Sequence, residues 1–168
     1  ETVAQQTVDA LGIARDRVTV VPRGRSATQL GAHSAERRRE TRRRLGVGED
    51  TLLVLNVGRQ DTQKQQALLV HAFAKAHREY ADAVLLIAGR EGDATAEVRS
   101  ALQETGLRNP TVRLLGHRTD ALDLYVAADL FVFPSLYEGL GCSLIEAMGL
   151  CAPILASDAP AIAEVLGD

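Results

Sequence analysis

The chain has 168 residues and a mass of 18.0 kDa, room for one domain that removes roughly 68–70% of its unfolded surface from water. With 46% hydrophobic and 24% charged residues, 14 Gly and 5 Pro, it is neither disordered nor collagenous, and two cysteines (Cys142 and Cys151) cannot build a disulfide scaffold. The net charge of −3 is uneven, because residues 37–44 carry six Arg against one Glu and Lys occurs only at Lys64 and Lys75. Generic nucleic-acid binding is disfavoured: there is no broad cationic face, 4% aromatics and no Trp. No apolar run reaches the roughly 20 residues of a membrane span, and no signal-like start is present. A reduced, cytoplasmic setting is the expectation.

Residues 1–33 show a short helical pattern, a strand-like RVTVV at 17–21 and a polar stretch with Pro22, Gly24 and Gly31. Ser34 then reads as the cap of a helix ending at Gly46. Beyond it, apolar runs of strand length at 51–57, 83–88, 111–115, 129–133 and 153–157 alternate with helical segments near 64–79, 94–105, 119–128, 142–149 and 160–166. Continuously apolar strands require burial on both faces, which helices on either side of a parallel sheet provide. The pattern predicts a doubly wound, Rossmann-like α/β domain. Such a sheet binds its ligand outside the carboxyl ends of the strands, here the loops 58–63, 89–93, 116–118 and 134–141. Each holds polar residues or glycine.

Two of these loops carry the chemistry. In Asn56-Val57-Gly58-Arg59-Gln60-Asp61-Thr62-Gln63-Lys64, Gly58 permits a tight turn and two cations flank a polar loop. Arg presents a planar fork to phosphate oxygens and Lys a mobile point charge. Together they could hold a pyrophosphate and neutralise it as a leaving group. A solvated loop with two surface cations is the competing reading. In residues 134–148, a strand runs through Glu138-Gly139-Leu140-Gly141 into a helix opening near Cys142. The free amides at that helix start form an anion seat. Glu138 and Glu146 beside it suit hydrogen bonds from ligand hydroxyls, on two polyol parts flanking a diphosphate. Alternatively Glu146 merely answers the helix dipole while Glu138 caps the turn.

Other constellations are weaker. Glu91-Gly92-Asp93 is the nearest approach to a metal-binding acidic pair and reads as a solvated turn. His33, His71, His77 and His117 lack zinc spacing. No metal and no cofactor are expected. Cys142 at a helix start has no placed catalytic partner, and Ser135 lacks a nucleophile-elbow context. No G-x-G-x-x-G follows the first long strand, which disfavours a dinucleotide oxidoreductase. The arginines of 37–44 could touch anionic lipid head groups, although a solvated helix face is the preferred reading.

Residues 51–166 resemble the donor-binding C-terminal half of a GT-B glycosyltransferase of family 4 (group 1). The resemblance rests on Val57-Gly58-Arg59 with Lys64, on the E-x7-E pair Glu138 and Glu146 within Glu138-Gly139-Leu140-Gly141 and Glu146-Ala147-Met148, and on Pro153-Ile154-Leu155-Ala156-Ser157 and Glu164-Val165. It implies a retaining, metal-independent hexosyltransferase that uses a UDP-, GDP- or ADP-sugar. Gly58, Arg59, Lys64 and the Gly139, Leu140, Gly141 and Cys142 backbone would hold the diphosphate. Glu138 would face the transferred sugar and Glu146 the ribose. Gly89, His117 and Arg118 would lie near the base. Residues 1–33 would be the tail of a preceding acceptor domain with its linker, and 34–168 the nucleotide-sugar-binding domain, truncated after Asp168. The acceptor would bind the missing half, so the lone chain should bind donor and transfer nothing. A peripheral contact at the inner face of the membrane would fit such an enzyme.

The chain departs from the family pattern at several points. Gln65 stands where glycine is expected, and Leu150-Cys151-Ala152-Pro153 where CGTP is expected. The second glycine of a G-x-G is displaced in Gly89-Arg90-Glu91-Gly92, and Arg23 replaces the Asn of P-N-G. The departures at Gln65 and Leu150-Cys151 keep open a non-catalytic nucleotide-sugar-binding or interaction module. A GT-B sugar-nucleotide epimerase, which shares the fold and the donor, is the other alternative.

Overall fold

A computed structural model describes residues 2–21 and 23–167. Helix α1 (Thr2–Leu11), a 3-10 turn at Arg15–Arg17 and a short helix α2 (Ala27–Leu30) lead to α3 (Ala35–Leu45). Strands and helices then alternate: β1 (Leu53–Val57), α4 (Gln66–Ala76), β2 (Val84–Ala88), α5 (Thr95–Thr105), β3 (Val112–Gly116), α6 (Ala121–Ala127), β4 (Leu130–Phe133), α7 (Cys142–Gly149), β5 (Ile154–Ala156) and α8 (Pro160–Leu166). Every pairing is parallel, in the order β3-β2-β1-β4-β5. This is the doubly wound, Rossmann-like arrangement expected from the apolar runs.

The two-residue period of the strands splits the core between the faces. Leu53, Leu55, Leu86, Phe131 and Phe133 pack with Leu124, Leu144 and Ile162 on one side. Val54, Leu85, Ile87 and Val132 pack with Val70 and Phe73 on the other. Burial on both faces leaves only the strand ends free for function. Chain order reverses between β1 and β4, the switch point outside whose strand ends sheets of this kind place a ligand crevice.

Three details differ from the sequence expectation. The strand-like 17–21 forms no ladder. Val18 is extended (φ −109°, ψ 115°), but Val18, Thr19, Val20 and Val21 line a groove against α7 and α8, so the segment forms a groove wall. The polar stretch before residue 33 contains α2, capped by Ser26, whose Oγ accepts from the Gln29 amide (3.2 Å). Its Leu30 joins the core beside Leu144 and Ala147. Finally, the helix expected over 64–79 is preceded by a 3-10 turn at Thr62–Lys64 and a left-handed Gln65 (φ 52°). Of the P-N-G-like segment, Pro22 lies outside the described residues.

Gln65 and Cys151 (φ 54°) are the two described non-glycine residues with positive φ. Both are positions where the resembled pattern carries glycine. The substitutions have kept the backbone and accepted a side chain in a conformation that disfavours one.

One side of the arginine-rich helix is a solvated face, with Glu36, Arg39, Glu40 and Arg43 exposed, and the other side is an internal clamp. Arg42 is fully buried and donates to the carbonyls of Gly48 (2.6 Å) and Ala127 (2.8 Å) and to Asp129 Oδ2 (3.2 Å). Arg38 binds the Ala127 and Ala128 carbonyls and Asp129, while Arg37 and Arg44 hold Asp123 at 2.8 and 2.7 Å. These contacts fasten α3 to α6 and to the start of β4. Arg39 and Arg43 remain exposed, the latter paired with Glu40.

The strained backbone and the buried charge each lead to a stability prediction. Cys151→Gly is expected to raise stability by about 0.5 kcal/mol, since relief of left-handed strain of about 1–2 kcal/mol outweighs the added unfolded-chain entropy of about 0.4–1 kcal/mol. Chemical denaturation measures this, and a loss of stability would contradict the strain. Burial pushes the Asp129 carboxyl up, but the Leu53 amide and the Arg38 and Arg42 guanidiniums outweigh it and hold the group below the usual carboxylate range. Asp120 and Asp123 are likewise held down by arginines. A depressed folded-state pKa contributes stability above the unfolded value of about 3.9 that is lost as pH falls through the folded value. The denaturation midpoint is therefore expected to drop below about pH 4. Asp129→Asn, which strips buried Arg42 of its counter-ion, should cost on the order of 3 kcal/mol at neutral pH and flatten part of that acid limb.

Candidate functional site

The crevice between β1 and β4 is built by loops sewn to one another. The Leu136 amide donates to the Gln63 carbonyl (2.9 Å), joining the loop after β4 to the loop after β1. The Gln60 amide donates to Arg90 O, and the Ala94 amide to Gln60 O, both at 2.9 Å, which ties in the loop after β2. A Cβ on Gly89 would lie 1.8 Å from the Gly58 carbonyl oxygen, and one on Gly92 would lie 2.1 Å from Asp61 Oδ1. Glycine at both positions is what lets these loops meet. Gly92 therefore serves this contact even though the family spacing places its glycine elsewhere.

At the crevice floor, Lys64 Nζ pairs with Glu138 Oε1, and the two side chains are 15% and 8% exposed. Lys64 Nζ also stands 5.3 Å from the Phe133 ring centroid and runs its methylenes past Gly58. Helix α7 opens beside them from left-handed Gly141 (φ 61°) and has no side-chain cap. Its first amides, at Cys142 and Ser143, have the orientation that receives anions at a helix start. Gly139 has open space where a Cβ would project, and with Leu140 it borders the groove walled by Val18 and Val20.

A second cluster lies at the carboxyl ends of β1, β2 and β3. Gly58, Arg59, Gly89, Arg90, His117 and Arg118 line a small pocket of about 270 Å³. Arg59, however, reaches outward. Its side chain is 66% exposed and held by Asp61 at 2.6 Å, so Arg59 and Lys64 do not converge on one point here. Arg118 is spoken for by a two-pronged contact with Asp120 (2.7 and 2.6 Å), which raises its pKa.

The third cluster surrounds Glu146. Its Oε1 accepts from Arg25 Nε at 2.8 Å, and its Oε2 accepts from the Tyr125 hydroxyl at 3.3 Å. Burial first, and then the Glu146 charge, push the Tyr125 phenol pKa far up, so it remains a hydrogen-bond donor. Both acids of the E-x7-E pair thus point inward onto cations.

Sequence reasoning missed Arg25, Tyr125 and the buried amides. Asn56 (2% exposed) donates to the Val132 carbonyl at 2.9 Å, and Gln66 Nε2 donates to Asn56 Oδ1 (2.8 Å) and Gly58 O (3.0 Å). A polar Asn within an otherwise apolar strand was the available signal. Arg25 and Tyr125 gave none, because only folding brings residues 25, 125 and 146 together. Of the acidic turn, Glu91 pairs with Arg99 at 2.5 Å and Asp93 Oδ1 accepts from the Thr62 amide at 2.8 Å. Among the described residues no cluster of three metal-ligating side chains occurs, and no helix is long and apolar enough to cross a membrane.

Known proteins share this fold and family pattern. The chain is 29% identical over 168 residues to an uncharacterized glycosyltransferase of Methanocaldococcus jannaschii, covering 99% of this chain and 43% of that protein. It is 30% identical over 172 residues to the D-inositol 3-phosphate glycosyltransferase of Nocardia farcinica, covering 98% of this chain and 38% of that one. The Anabaena HepE structure in complex with UDP and glucose superposes with a TM-score of 0.85 at 25% identity, over 98% of this chain and 44% of that one. The chain thus spans less than half the length of these relatives. Residues 37–168 match the family model for group 1 glycosyl transferases, and the chain belongs to that family.

Proposed function

We propose that this chain forms the donor-binding half of a retaining, metal-independent family 4 glycosyltransferase that moves a sugar from a nucleoside diphosphate sugar to an acceptor. The observation that carries the reading is the inward-facing Lys64–Glu138 pair at the β1/β4 crevice, beside the uncapped start of α7. Lys64 and the amides from Gly139 to Cys142 hold the diphosphate, with Gly58 giving it close access and Arg59 turning in from the rim. As the sugar–phosphate bond breaks, negative charge grows on the leaving diphosphate. A preplaced ammonium and oriented amides stabilise it without reorganising solvent. Glu138, positioned by Lys64, accepts hydrogen bonds from hydroxyls of the transferred sugar. Glu146 takes the ribose hydroxyls, and the pocket at Gly89, His117 and Arg118 takes the base.

A diphosphate clamped by Lys64 and amides needs no metal bridge. Glu91 and Asp93, the nearest acidic pair, are engaged by Arg99 and the Thr62 amide. The acceptor and any further proton-transferring group belong to the partner half of a GT-B enzyme, and the setting is the cytoplasm. UDP is the first nucleotide to test, since HepE holds UDP in its structure.

The reading is tested by thermal shift with UDP-, GDP- and ADP-sugars. At a hundredfold excess over Kd, a native-state ligand contributes about 2.7 kcal/mol, or about 5–10 °C for a chain of this size. One nucleotide class is expected to give this shift, unchanged by EDTA. Lys64→Ala should weaken it by roughly 10- to 100-fold in affinity, the worth of a charged hydrogen bond, and Glu146→Ala by less, because the Glu146 carboxylate already holds Arg25. No shift with any of the three classes would defeat the proposal, and loss of the shift with EDTA would defeat its metal-independent part.

A further inference from the structure

Arg25 comes from the segment between the 3-10 turn and α2, far in sequence from the loops at the strand ends, yet it lands on Glu146, the acid assigned to ribose. Its Nε donates to Glu146 Oε1 at 2.8 Å, and the two side chains are 24% and 19% exposed. Tyr125, fully buried, donates to the other oxygen from the core side (3.3 Å). Arg25 also faces the Cys142 thiol at the first turn of α7. The carboxylate is thus held on one oxygen by a neutral phenol and on the other by a guanidinium, whose residue also lines the groove beside α7.

These two contacts differ in what a ligand can do to them. The Tyr125 hydroxyl is enclosed by the core and its raised pKa keeps it protonated, so it fixes the carboxylate plane whatever sits outside. Arg25 holds the other oxygen from a partly exposed position and is the contact a ligand hydroxyl could replace. It is carried by a segment with no ladder partners among the described residues, so moving it disturbs no strand pairing. We propose that Arg25 is a specificity-determining residue of the donor site. Its guanidinium competes with the ribose hydroxyls for Glu146 Oε1, and a donor must displace it to seat. The proposal rests on the assignment of Glu146 to ribose. The competition taxes only ligands that need that oxygen. A nucleotide without ribose hydroxyls leaves the ion pair in place, whereas a ribonucleotide exchanges one charged hydrogen bond for another and gains correspondingly less.

The measurement is calorimetric binding of UDP, GDP and ADP, each beside its 2′,3′-dideoxy analogue, to the parent chain, Arg25→Met, Glu146→Gln and the double variant. Met keeps the aliphatic stem and removes the charge, and thermal unfolding confirms that each variant is folded. Arg25→Met should bind the preferred ribonucleotide roughly two- to fivefold tighter, the worth of a partly exposed ion pair. The dideoxy analogue should gain nothing, so the ratio of the two affinities widens. In the Glu146→Gln background the same change should produce no widening, because the contested charge is gone. If the parent binds a nucleotide and Arg25→Met leaves the ratio unchanged or narrows it, Arg25 is a structural tie and the competition is refuted. If the ratio widens equally in both backgrounds, Arg25 acts on some other group and the proposal also falls. A parent chain that binds none of the six compounds overturns the nucleotide reading itself, and this inference with it.

Discussion

Burial of a parallel sheet on both faces is the constraint on which the rest of this molecule depends. Leu53, Leu55, Leu85, Leu86 and Ile87 are wholly shielded from water, which leaves the β1–β2 centre no surface on which to build a site. Binding chemistry is pushed to the strand ends, and among those ends to the place where chain order reverses between β1 and β4. The Lys64–Glu138 pair stands at that place. Its position is a consequence of topology before it is a consequence of chemistry.

The charges of the molecule divide into two populations with different work. Around Asp129, Arg38 and Arg42 consume their hydrogen-bonding capacity on backbone carbonyls and one carboxylate. Full satisfaction of this kind is what permits a guanidinium to be wholly buried. At the strand ends, by contrast, Arg59 holds Asp61 from an exposed position and Arg25 holds Glu146 at partial exposure, while Lys64 and Glu138 form a largely buried pair. An ion pair near solvent contributes little to stability and is correspondingly easy to exchange. The first population holds α3 to the domain, and the second stands where the proposed donor would bind.

Backbone geometry has outlasted side-chain identity at two positions. Gln65 and Cys151 keep the left-handed turn that glycine would adopt more easily, because each turn aims the next element of the chain. Gln65 opens α4 directly after Lys64, and Cys151 leads the chain from α7 toward β5. At Gly89 no such latitude exists, since any Cβ would collide with the Gly58 carbonyl. Strain of conformation can be tolerated locally, whereas overlap with main chain cannot.

The apolar runs by themselves determined the alternating elements, the parallel sheet and the loops that would carry a site. Helix starts such as Ser34 and Cys142 were legible because caps and dipeptide signals are local. Glycine spacing and the E-x7-E pair pointed to the residues of the crevice, since family motifs record which chemistry recurs at fixed distances along the chain. The tertiary structure alone decided which carboxylate meets which cation. Pairs such as Arg25–Glu146, separated by 121 positions, leave no periodic trace in sequence. It also turned residues 18–21 into a groove wall and one side of the arginine-rich helix into an internal clamp. Period and composition report whether a face is buried, while the identity of its neighbour is set by how the elements pack in three dimensions.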